Sequence, residues 1–134
     1  MSISQFLAGA ALALVVAWLA YLAVIYRSSR AALGRSVAAL ADAIPGLGRA
    51  PEPALLYFYS EHCPPCRQTT PAIDALAAER PAIFKVDVTQ AADLAKRLGV
   101  RVTPTLLVVR DGRVARVLLG ARSRATIARA LDSA

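Results

Sequence analysis

The chain has 134 residues, of which 57% are hydrophobic and 19% charged, with a net charge of +7. That length allows one modest domain and an accessory segment and excludes two full domains. The basic residues are not interleaved with aromatics in the way that stacks bases, so no nucleic-acid partner is expected.

From Phe6 to Tyr26 the chain carries no charge: FLAGAALALVVAWLAYLAVIY. A helix of this length, rising about 1.5 Å per residue, crosses the roughly 30 Å hydrocarbon layer of a bilayer. Arg27 and Arg30 stop the run. A cleaved signal peptide is the competing reading. Against it, the leading residues MSISQ lack Lys and Arg, and the apolar run exceeds a usual signal core. A buried core helix fits less well still, because a small domain has no interior to surround it. Residues 1–28 therefore read as a single transmembrane anchor, with the lipid bilayer as partner through residues 6–26. Arg27, Arg30 and Arg35 follow the span, and the positive-inside rule places the remainder of the chain in the cytoplasm.

Residues 29–50 read as a helical connector that either packs on the domain or continues the membrane helix as a stalk. Leu33, Val37, Leu40, Ala41 and Ile44 recur at helical spacing over Ser29–Ile44, and Pro45-Gly46 ends the pattern. RAPEP, at 49–53, reads as the last turn before a domain over 51–134. LLYFYS, at 55–60, is a central strand, and a helix is expected from Cys63 to Glu79. Residues 82–88 form the next strand, Gln90–Leu98 a short helix stopped at Gly99, and Thr105–Val109 a third strand. Asp111-Gly112 makes a tight reversal into Val114–Leu119. Ser123 caps a closing helix that runs to Leu131. The order strand, helix, strand, helix, strand, strand, helix gives a three-layer α/β/α architecture with a mixed central sheet.

The chemistry lies in Cys63-Pro64-Pro65-Cys66, which follows a strand and opens a helix. The first helical turn offers unpaired N–H groups and the positive end of the dipole, so a thiolate at Cys63 is stabilised and its pKa falls below that of a free cysteine. Pro64 and Pro65 have no N–H to lose there, and their fixed φ suits the first turn. Two intervening residues bring Cys66 within disulfide reach of Cys63. Cys63, the more exposed, is the expected nucleophile, and Cys66, one turn inside, the resolving thiol. A purely structural disulfide over so short a loop would stabilise little. Zinc would need four ligands, whereas this motif and His62 supply at most three, so no metal and no cofactor are expected.

The stretches YFYSEHCPPCRQTTP, KVDVT, GVRVTPTLLVVRDG and LLGA occur in that order. Together they resemble the thioredoxin family across about residues 51–134. The resemblance implies a mixed sheet flanked by helices. It implies thiol–disulfide exchange with protein thiols or disulfides through a mixed disulfide, with an upstream dithiol as electron donor. Pro104 matches the family's cis-proline beside the cysteines. Thr103 lies where the backbone pairs with an incoming substrate chain. Pro71 matches a kink in the active-site helix, and Gly120 a glycine kept free for close approach. Membrane-anchored relatives commonly face the periplasm, which opposes the arginine pattern, so sidedness stays open on sequence alone.

The chain departs from the family pattern in two places. His62 stands where a tryptophan is common, as a candidate to stabilise the Cys63 thiolate or transfer protons. Tyr57 stands where a buried acid often assists the resolving thiol, and Lys85 matches the lysine usually near that acid. The functional expectation is a membrane-tethered oxidoreductase that reduces or exchanges protein disulfides through Cys63 and Cys66, supported by His62, Pro64, Pro65, Thr103 and Pro104. The alternative is a non-catalytic binding or assembly module using the groove around Pro104.

Overall fold

The computed structural model describes residues 2–134. Its first element, α1, runs Ile3–Arg30, continuing through both arginines that were expected to end it. Residues Ile3–Ser28 are long and apolar enough to cross a membrane, and their most apolar 18-residue stretch has no residue buried. The next elements are β1 (Ala54–Tyr59), α2 (Pro64–Glu79) and β2 (Ile83–Asp87). They are followed by α3 (Ala92–Arg97), β3 (Thr105–Arg110), β4 (Arg113–Leu119) and α4 (Arg124–Asp132).

The strands order as β2-β1-β3-β4, with β1 parallel to β2 and antiparallel to β3, and β3 antiparallel to β4. The sheet is thus mixed. Alternation along β1 sends Leu55 and Tyr57 to one face, where Ile73 and Leu76 of α2 and Ile127 and Leu131 of α4 cover them. Leu56 and Phe58 point to the other face, packed with Leu94 and Leu98 of the α3 region. Leu55, Leu56, Tyr57 and Phe58 are all fully buried, which fits a central strand covered on both sides.

The connector differs from expectation. α1 takes in Ser29 and Arg30, and no α-helix forms from there to Ile44. The chain passes through Gly34 at φ 75°, then through short 3₁₀ turns at Ala38–Leu40 and Leu47–Arg49. The positive φ at Gly34 ends the helical path, and Ser36 bridges to Arg113 at the start of β4. The apolar positions are buried nonetheless: Val37, Leu40, Ile44 and Leu47 fill the core on the α3 face, while Leu33 stays exposed.

Two local signals act as the sequence indicated. Asp111 and Gly112 both take positive φ, 53° and 67°, which matches the twist of a two-residue hairpin. Ser123 Oγ accepts the Thr126 N–H at 3.2 Å and caps α4. One contact was not anticipated: the Glu52 carboxylate accepts the N–H groups of Asp111 and Gly112, the latter at 2.9 Å, and ties the segment before β1 to the hairpin. Glu52→Ala should lower stability by about 1–2 kcal/mol, the scale of hydrogen bonds to a charged group weakened by exposure. Urea unfolding of the two proteins measures it.

β2 forms one edge of the sheet. Lys85 there is exposed and pairs with Asp74 of α2 at 3.0 Å, so it belongs to the surface. A lysine on an edge strand discourages further strand pairing.

Candidate functional site

Cys63 stands just beyond β1, at the start of α2. The Ser60 carbonyl accepts the Cys63 N–H at 3.2 Å, and Ser60 Oγ accepts the His62 N–H at 3.3 Å, which shapes the intervening turn. Cys63 has an extended backbone (φ −103°, ψ 107°) and caps the helix. Its sulfur plays the part that a serine or aspartate oxygen plays at other helix starts. Pro64 and Pro65 occupy the first two helical positions and bring no N–H. The first available helical donor is therefore Cys66, whose N–H reaches Cys63 Sγ at 3.3 Å. The local sequence itself aims a donor at this sulfur.

The two cysteines form a disulfide, with Cα atoms 5.2 Å apart. Cys63 is 9% exposed and Cys66 1%. The Thr103 carbonyl oxygen lies 3.5 Å from Cys63 Sγ. In the disulfide that sulfur has no proton to give, whereas a thiol at Cys63 could donate to the carbonyl. The Thr103–Pro104 peptide bond is cis. The Pro104 carbonyl accepts the Gly120 N–H at 3.0 Å, and the Thr105 hydroxyl donates to the Val102 carbonyl at 2.7 Å, so the loop before β3 is held at both ends. At Gly120 an added Cβ would meet no protein atom within 4 Å, so crowding within the fold does not account for glycine there.

A groove of about 780 Å³ opens beside this loop, lined by Ser60, Val88, Ala95, Lys96, Arg101 and Thr103. A smaller recess of about 360 Å³, lined in part by Glu61, Arg67 and Pro71, reaches Cys66. His62 is exposed. The Asp87 carboxyl lies below its ordinary value, chiefly through hydrogen bonds from the Thr89 hydroxyl and N–H. The structure thus brings Cys63 against Cys66 and the Thr103 carbonyl, with Pro64 and Pro65 between the cysteines and Pro104 next to Thr103; the groove along Thr103 and the recess at Cys66 are separate.

Tyr57 and Thr70 are the residues that sequence reasoning did not assign. The Tyr57 side chain is fully buried, and its hydroxyl donates to the Cys66 carbonyl at 3.1 Å. The Thr70 hydroxyl donates to the same carbonyl at 2.9 Å, and the two hydroxyl oxygens are 3.0 Å apart. Two hydroxyls therefore converge on the backbone of Cys66. A tyrosine on a strand buried on both faces needs a partner for its hydroxyl, and that need was the available signal. Thr69 also back-bonds, to the Pro65 carbonyl at 3.2 Å, and with Pro71 inside α2 these contacts shape the helix.

Burial pushes the Tyr57 phenol above its ordinary pKa, against a smaller opposing effect of the Thr70 hydrogen bond. The stability this group contributes is fully present below the unfolded tyrosine value of about 10 and is lost as pH rises through the folded one. Tyr57→Phe should cost about 1 kcal/mol at neutral pH, because the Cys66 carbonyl keeps Thr70 as a donor. It should also remove that part of the alkaline loss. Denaturant titrations on both sides of that pH measure both effects.

Comparison with known proteins now decides the family. Residues 47–133 match the thioredoxin family. The chain belongs to the thioredoxin family. It is 31% identical over 83 residues to thioredoxin 1 of Synechococcus elongatus, covering 60% of this chain and 78% of that protein. To thioredoxin C-2 of Corynebacterium nephridii it is 35% identical over 83 residues, covering 60% and 77%. Among solved structures, a point mutant of a Halobacterium salinarum thioredoxin superposes with a TM-score of 0.57 at 31% identity, over 60% of this chain and 72% of that one. A Nicotiana alata thioredoxin gives 0.54 at 26% identity, over 60% and 70%. This thioredoxin-family protein is a thiol–disulfide oxidoreductase built on the Cys63–Cys66 pair.

Proposed function

We propose that the protein is a membrane-tethered reductase of protein disulfides, with Cys63 as nucleophile and Cys66 as resolving thiol. The observation that carries this reading is the sulfur of Cys63, which caps α2, accepts the Cys66 N–H and lies beside the carbonyl of Thr103, a residue that lines the groove. In the reduced protein a Cys63 thiolate, favoured by that donor and by the helix dipole, attacks one sulfur of a substrate disulfide. A mixed disulfide forms, and the other substrate sulfur leaves as a thiolate and takes a proton. Cys66, deprotonated, then attacks Cys63 Sγ and releases the second substrate sulfur. Two electrons pass to the substrate, and the Cys63–Cys66 disulfide remains for an upstream dithiol to reduce.

Pro64 and Pro65 clear competing donors from the first turn, and Thr103 offers its backbone to an extended substrate segment. Pro104 shapes the loop, and His62 supplies a titratable group at the rim. Residues 1–28 are the anchor, 29–50 a connector packed on the body, and 51–134 carry the chemistry. Arginines 27, 30 and 35 after the span support a cytoplasmic body.

The test uses the full-length chain in detergent, a dithiol as electron donor and a protein disulfide as acceptor. Reduction should exceed the dithiol alone, and Cys63→Ser should fall to that background; equal rates would contradict the reading. Sidedness has its own measurement. A membrane-impermeant thiol reagent should label Cys63 only in lysed cells, and labelling of intact cells would reverse the orientation.

A further inference from the structure

Five of the sixteen basic residues lie where the chain leaves α1. Arg27 and Arg30 occupy the last turn of α1. Just beyond, Arg35 donates through Nε to the Ala31 carbonyl at 2.8 Å and through Nη1 to the Arg97 carbonyl at 2.5 Å. Arg113, at the start of β4, donates to the Gly34 carbonyl at 3.0 Å. The side chains of Arg27, Arg30, Arg35, Arg97 and Arg113 are all exposed. Arginines from α1, the connector, α3 and β4 therefore surround the point where the chain leaves its apolar helix. Among the described residues none of these five takes part in an ion pair; the pairs present join Arg80 to Asp132, Lys85 to Asp74 and Arg124 to Glu79. The acids of and next to these segments are Asp42, Glu52, Asp93 and Asp111, and the Glu52 carboxylate is already engaged by two N–H groups.

Strand register places Arg113, one member of this collar, relative to the cysteines; Arg35 stands beside Gly99, which also lines the groove along Thr103. Arg113 pairs with Arg110, and Val109 pairs with Ala54, the first residue of β1. Cys63 lies beyond Tyr59, the last residue of β1, at the opposite end of the sheet. At about 3.3 Å per residue, a strand of this length separates the two ends by roughly 20 Å. The guanidinium group is suited to phosphate, and anionic headgroups concentrate basic side chains at a bilayer surface.

We propose that this arginine collar seats the Ala54 end of the body on anionic phospholipid headgroups and turns the Cys63–Cys66 pair away from the bilayer. The inference rests on the membrane-tether reading. It limits the substrates to thiols and disulfides of proteins in the aqueous phase, because groups within the membrane lie at the wrong end of the sheet.

The experiment uses the full-length chain in nanodiscs of phosphatidylcholine, with or without phosphatidylglycerol. In a Cys63→Ser, Cys66→Ser background, a donor fluorophore is placed through Ala38→Cys at the collar end or through Ala121→Cys at the active-site end. Acceptors are carried on lipid headgroups. With phosphatidylglycerol present, transfer from position 38 should be strong and transfer from position 121 weak. Removing phosphatidylglycerol, or raising the salt, should shrink the difference. Arg27→Gln, Arg30→Gln and Arg97→Gln together should do the same, and these side chains make no backbone hydrogen bonds that the fold needs. Equal transfer from both positions, or no effect of phosphatidylglycerol, would overturn the collar while leaving the anchor standing. A chain that fails to float with either kind of bilayer would overturn the anchor and the collar together.

Discussion

Replacing Cys66 by serine is expected to convert the protein from a catalyst into a trap. The first exchange needs only Cys63, whose sulfur is the more accessible of the two and is met by a helical N–H at 3.3 Å. The second needs a thiol one turn inside α2, and Cys66 is 1% exposed. With serine at position 66, attack still forms the mixed disulfide, but nothing within the protein resolves it. Cys66→Ser should accumulate covalent complexes with partner proteins on a non-reducing gel, and added reductant should dissolve them. Cys63→Ser should form few, because the remaining thiol is buried. Turnover in either variant should drop to the uncatalysed level, the largest functional effect expected of any single substitution here. Equal trapping by both variants would reverse the assignment of nucleophile and resolver.

The second large effect concerns the anchor. Val15 and Val16 lie near the middle of the apolar helix, and both are exposed in the isolated chain, with no protein partner to lose. Substituting both with aspartate should oppose insertion by about 6 kcal/mol, from roughly 3 kcal/mol per acidic residue at a helix centre. The unmodified protein should stay with membranes through an alkaline wash, and the double variant should leave them. Activity of the double variant in detergent should be unchanged, because both side chains are exposed and lie far along α1 from Cys63. Release of the unmodified chain by the wash would show that α1 does not span.

Much of the fold was legible because its signals are local. Asp111-Gly112, Ser123 and the Pro64-Pro65 pair each act within a few residues, and each does in the structure what its chemistry indicates. The connector was misread for the opposite reason. Val37, Leu40 and Ile44 have helical spacing, but their burial depends on a chain reversal at Gly34 and a bridge to Arg113, far away in sequence. The clamp by Glu52 on the hairpin is long-range in the same way.

The candidate site divides along the same line. The cysteine spacing and the helix start follow from adjacent residues. The contact between Cys63 Sγ and the Thr103 carbonyl joins positions 40 apart, and only the resemblance to a family suggested it. Tyr57 was visible as a departure from the family pattern. Its partnership with Thr70 and the Cys66 carbonyl needed the structure, since β1 and α2 meet only through the packed face of the sheet.

A redox titration tests the central claim, that Cys63 and Cys66 form a reversible couple, most directly. The full-length chain is equilibrated with graded ratios of reduced to oxidised glutathione, free thiols are alkylated, and the intact protein is weighed. A single reversible transition between the doubly alkylated and the unalkylated chain is expected, because the two sulfurs exchange two electrons as a unit. A disulfide that stays closed even against excess dithiothreitol, or cysteines that titrate independently through a singly alkylated form, would contradict it.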